Sequence, residues 1–270
     1  TAQGFHFDNA TMKPIINNEG WKKAFELYKA TGQYGPPDEL NMDIGDTRAL
    51  FKAGRCGLIV EWGDPGTLQL DDDAKSIRGK MYAISAVGST EVLDRATGKL
   101  VPVSAATAPY AVDGINYAPF AAFGGWAGAV NKGADAKTKA AAYAFLSYMN
   151  QAAQSGVDVT IGATGYNPYR TSQLASTDLW VKAGMPKALA DNYLGAINGA
   201  INNLNMASDM KIPGAQKYTS VVLDTELARY LAGEITVDEA LANIEEGWEE
   251  VTEDFGRDEQ VASQALALGL

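Results

Sequence analysis

The stretch Phe51–Gly66, FKAGRCGLIVEWGDPG, constrains the fold more than any other part of the chain. Its apolar run is short, follows Gly54 and ends in an acid, a Trp, a Gly, an Asp and a Pro. That length and those flanks predict a strand buried on both faces, as in a sheet with helices on either side. A fold gains little from placing a Trp and a carboxylate on the loop where such a strand ends. A ligand gains more, so Trp62 and Asp64 are candidate binding residues.

Helical patterns surround this run. Trp21, Ala24, Phe25 and Tyr28 recur at the spacing of one helix face, closed by Gly32. DTRALFKAG reads as a short helix capped by Asp46 or Thr47 and stopped at Gly54. DAKTKAAAYAFLSYMNQAAQSG reads as one helix with Gly156 past its end. The span from Ser176 to Asn205 is helical but broken at Gly184 to Pro186, and KYTSVVLDTELARYLAG ends at Gly233. In TVDEALANIEEGWEEVTEDFG, Thr236 and Glu239 form a capping box, and Ala240, Ile244, Trp248 and Val251 line one face. KMYAISAV and GGWAGAV read as further strands, and STEVLDRATGKLVPVSAATAPYAVDG as loops and small strands. Strands alternating with helices define an α/β class.

Composition removes several functions. A net charge of -11 argues against nucleic acid as a partner, because phosphate contacts need clustered Lys and Arg. One cysteine, Cys56, and one histidine, His6, leave no disulfide framework and no Cys/His zinc site. Cys56 reads as a buried inert thiol. No nucleophile motif, phosphate loop, dinucleotide fingerprint or metal-ligand spacing is present, so no cofactor is expected. Glu61 and Asp64 could in principle flank a glycosidic bond, but residues three apart on one loop rarely span a sugar ring.

The remaining chemistry is aromatic and polar. Trp21, Trp180 and Trp248 fall on helix faces and read as packing residues, whereas Trp62, Trp126, Tyr166 and Tyr169 fall on loops or strand ends. Aromatic rings bind the C–H face of a sugar, and Asp, Asn, Arg and backbone groups bind its hydroxyl rim. Hinge or core packing is the competing account of Trp62 and Trp126.

The segments TMKPIINNEGWKKAFELYK, FKAGRCGLIVEWGDPG, APFAAFGGWAGAVNKGADAKTKAAAYAFLSYM, TGYNPYR, GEITVDEALANIEEGWEEVT and FGRDEQVASQALALGL, in this order, cover nearly all 270 residues. Together the chain resembles the extracellular or periplasmic solute-binding proteins of ABC importers, in the family that includes the maltose-binding protein. The resemblance implies a type II periplasmic-binding-protein fold of two α/β lobes, with ligand in the cleft between them and the first part of the N-terminal lobe absent. It implies that residues 1–113 belong to the C-terminal lobe, that 114–170 cross to the N-terminal lobe and hinge, and that 171–270 return. It further implies a sugar-like ligand held by Trp62, Asp64, Gly125, Trp126, Tyr166, Asn167 and Arg170. A membrane permease would be the partner; a receptor's signalling domain is the alternative, and a glycoside-acting enzyme a third reading. Without its neighbouring strands, WAGAV and the Ala-rich helix are expected to be covered by a second copy of the chain or by its own tail, the alternative being a segment that stays loose and mobile.

Overall fold

The computed structural model describes residues 4–122, 125–162 and 164–270. Helix dominates, at 49% of the chain against 7% strand, so the class is α/β in its broad sense. In chain order the elements are α1 (Glu19–Thr31), α2 (Ile44–Lys52), a 3₁₀ segment (Asp64–Leu70), β1 (Glu91–Asp94), β2 (Lys99–Pro102), β3 (Phe120–Ala121), α3 (Ala136–Met149), α4 (Ala152–Asp158), α5 (Thr171–Leu174), α6 (Asp178–Lys182), α7 (Lys187–Ile201), β4 (Ala207–Ser208), α8 (Asp224–Ala232), α9 (Val237–Phe255) and α10 (Arg257–Leu268).

The chain packs into two compact units. The first comprises Thr1–Asn41, Val87–Ala121 and Leu204–Leu270, and the second Met42–Ala86 and Ala122–Asn203. These boundaries fall elsewhere than the expected breaks after 113 and 170. Met42–Ala86 shares its core with the later helices α6 and α7, not with the residues that flank it in sequence.

The first unit is built on α9. The capping box forms as expected: the Glu239 amide donates to Thr236 Oγ1 at 3.2 Å, and the Thr236 amide to Glu239 Oε2 at 2.7 Å. One face of α9 buries Ala240, Ile244, Trp248 and Val251, and joins Phe7, Met12, Phe25, Tyr218 and Tyr230 in one core. Trp248 sits at the centre. Its indole N–H donates to the Tyr218 carbonyl at 2.8 Å, and its ring meets those of Phe7, Trp21 and Tyr218. α1 is capped by Asn18, whose side chain accepts from the Gly20 and Trp21 amides. The small strands expected near Glu91 are the antiparallel β1–β2 hairpin, with Glu91 opposite Pro102. β3 and β4 pair in parallel, two residues each.

His6 lies among these aromatic rings, 5.9 Å from Trp248 and 6.0 Å from Trp21 between centroids. Burial pushes its imidazole down from 6.5 to about 4, against the nearby Asp209 charge. The unfolded chain therefore takes up a proton at a higher pH than the folded one. Between those two values the unfolded state holds more protons, so stability falls as pH falls. The expected loss from pH 7 to 4 is up to about 3 kcal/mol. Urea unfolding across that range should show the slope in the wild type and lose it in His6→Phe; equal slopes would place His6 in water.

The second unit departs from expectation in its strands. Among the described residues, Cys56–Trp62 is not paired into a sheet. Ile59 and Cys56 turn toward a small core of Phe51, Leu68, Ala74 and Ile77, but Leu58 is 89% exposed and Val60 wholly exposed. An apolar run signals burial on both faces, and here only one face finds a partner. Cys56 is accordingly partly buried. Met81–Ala86 and Gly125–Val130 likewise carry no ladder among the described residues, while Gly124 lies outside them. α3 buries none of its residues and leaves Tyr143, Phe145 and Tyr148 exposed.

Two helix boundaries also shift. α2 starts earlier than read, because Asp43 is the cap and makes a capping box with Asp46. The long Ala-rich helix divides into α3 and α4 at Asn150, whose side-chain amide donates to the Leu146 carbonyl at 2.9 Å, a local bond that competes with helix continuation. Gly156 falls inside α4 rather than past the end. The break at Gly184–Pro186 stands where expected, between α6 and α7.

Candidate binding site on the second unit

The expected site residues all fall in the second unit. Three of the sequence motifs meet at one loop, Gly165–Asn167. Trp126 approaches it from one side, its indole N–H donating to the Gly165 carbonyl at 2.9 Å. The EWGD corner approaches from another. A Cβ on Gly63 would lie 2.5 Å from Asn167 Oδ1, so the corner sits directly against the Asn167 side chain. Tyr166 is half-buried and packs on the core of Trp180, Leu189 and Tyr193 beneath.

The loop and corner thus leave polar and aromatic groups at the surface. Trp126 is 72% exposed although its indole N–H is used, and Gly125 beside it adopts a left-handed φ of 95°. Asn167 is exposed and Trp62 half-buried. The Arg48 guanidinium lies 5.9 Å from the Trp62 ring centroid, and the Trp62 amide donates to Glu61 Oε2 at 2.8 Å. Held in this way, the ring offers a supported apolar face beside polar groups.

Two expected ligand contacts lie elsewhere. Asp64 does not point outward: its side chain is 1% exposed, at the start of the 3₁₀ segment. Arg48, from α2, reaches it at 2.9 Å and forks onto Glu61 with bonds of 3.1 and 2.9 Å. Arg48 and Asp64 form a close ion pair. Burial pushes the Asp64 carboxyl above its ordinary value, with Arg48 pulling the other way. Burial, and then the Asp64 charge, also raise the Tyr193 phenol. Tyr193 stacks so closely under the corner that a Cβ on Gly66 would overlap its ring. Arg170 is likewise occupied: it donates to Ser155 Oγ at 3.1 Å and to the Asn150 carbonyl, bracing the α3–α4 junction.

Sequence reasoning missed Arg48 and Tyr193. Neither carries a local signal, since each reads as an ordinary residue of an amphipathic helix. Glu61 and Asp64 share a single guanidinium instead of facing each other across a gap. The sequence matches no family model and no curated protein. Among the described residues, no helix is long and apolar enough to cross a membrane.

Proposed function

We propose that this chain is a non-catalytic binding module for a small polar solute of the sugar or polyol class, acting in ABC-type import outside the cytoplasm with a membrane permease as partner. The finer architecture we infer is that of a type II periplasmic-binding protein. The observation that carries the reading is that Trp126 and the Gly63 corner, next in the chain to Trp62, both reach the Gly165–Asn167 loop, where Asn167 is exposed. Two aromatic rings and an exposed carboxamide on one short loop cluster match the C–H face and hydroxyl rim of a sugar. The sequence resemblance supports it independently. The shared ion pairing of Glu61 and Asp64 argues against the glycoside-acting alternative, because a general acid and a nucleophile need separate environments.

Trp62 tests the assignment. Removing one stacking aromatic is expected to weaken binding by about 1 to 3 kcal/mol, roughly ten- to a hundredfold. Calorimetric titration of Trp62→Ala with the best-binding sugar should show that loss, with little change in melting temperature because the ring is only half-buried. Equal affinity in both proteins, or unfolding of Trp62→Ala, would remove the residue from the site.

A further inference from the structure

We propose that the extended segments Leu58–Glu61 and Met81–Ser85 form a strand edge that pairs with the same edge of a second copy of the chain. Along Met81–Ser85 the burial alternates with the period of an extended chain: Met81, Ala83 and Ser85 turn inward, and Tyr82 and Ile84 are 70% and 77% exposed. The inward edge is already paired. The Ala83 amide donates to Asn192 Oδ1 at 2.8 Å, and its carbonyl accepts from Asn192 Nδ2 at 2.9 Å, so a side chain of α7 occupies the place of a neighbouring strand. In an extended chain the next residues present their backbone groups to the opposite edge. The amides and carbonyls of Tyr82 and Ile84 bond to no described residue.

Three features favour a second copy as the occupant. An edge offers its two-fold mate the same alternation of donors and acceptors, so antiparallel pairing closes on itself. The two segments bring no uncompensated acid to the edge in a chain of net charge -11, because their one acid, Glu61, is paired with Arg48. The exposed apolar surface points the same way: Leu58, Val60, Tyr82 and Ile84 offer on the order of 400 Å² of apolar side chain. That is about half of the ~800 Å² per partner in a standard interface, the low end at which association is weak and concentration-dependent. The inference is independent of the ligand reading, since none of these side chains belongs to the loop cluster.

Sedimentation equilibrium from roughly 1 to 100 µM covers the range in which an interface of this size dissociates. The wild type should plateau at the mass of two copies. Ile84→Lys and Val60→Lys, both at exposed positions, should give monomers with unchanged helical circular dichroism. A wild type that stays monomeric, a mass that grows past two copies without a plateau, or a dimer that survives both substitutions would overturn the proposal.

Discussion

Trp248→Ala is expected to cost about 3 to 5 kcal/mol, the range for truncating a large buried aromatic. The ring is fully buried at the centre of the first unit's core, against Phe7, Trp21 and Tyr218. The substitution also strips the Tyr218 carbonyl of its indole donor. The gap cannot close by simple collapse, because the wall is made of rings fixed on separate elements: the N-terminal segment, α1 and the helical turn before α8. In thermal unfolding the loss should lower the midpoint by roughly 6 to 20 °C. A drop of only a degree or two would mean that the first unit is not organised around α9.

Arg48→Met should be nearly as damaging, for an electrostatic reason. The substitution keeps much of the aliphatic stem but leaves Glu61 and Asp64 unpaired, with side chains 10% and 1% exposed. Breaking a buried ion pair from one side costs about 3 to 5 kcal/mol, because a charge is left without compensation. The deficit has a definite pH dependence. Asp64 already titrates above its ordinary value through burial, and loss of Arg48 raises it further. A carboxyl whose folded pKa lies above its unfolded one binds the proton more readily when folded, so protonation stabilises the native state. The difference between variant and wild type should therefore be largest near neutrality and shrink as pH falls through the Asp64 titration. Adding Asp64→Asn to Arg48→Met should recover part of the loss. Paired urea curves at two pH values measure both effects, and a deficit independent of pH would contradict a charge-based cause.

Helices were legible in the sequence where local chemistry decides them. The Thr236–Glu239 box and the stop at Gly233 both involve residues within one turn of each other. Trp180 and Trp248 were legible as core because their helix faces are apolar on one side. Strands depend on partners far away in sequence. Cys56–Val60 announced that it wanted cover, but nothing local says what supplies it, and only one of its faces is covered. The binding cluster was partly legible for the same reason. Trp62, Trp126 and Asn167 stand on Gly-rich turns, a local signal. Asp64 and Arg170 stand there too, yet α2 brings Arg48 over the first, and the α3–α4 break draws the second away. A long cation or a short acid on a loop can face either way, and tertiary contacts decide which.

Thermal unfolding in the presence of a sugar and polyol panel tests the binding reading most directly. Ligand that binds only the folded chain stabilises it by RT ln(1 + [L]/Kd), about 2.7 kcal/mol at a hundredfold excess over Kd, or on the order of 5 to 10 °C. At least one member of the panel should raise the midpoint along that saturating curve and be recovered chemically unchanged. A midpoint that no sugar or polyol moves, or a glycoside returned as hydrolysis products, would contradict a solute-binding module.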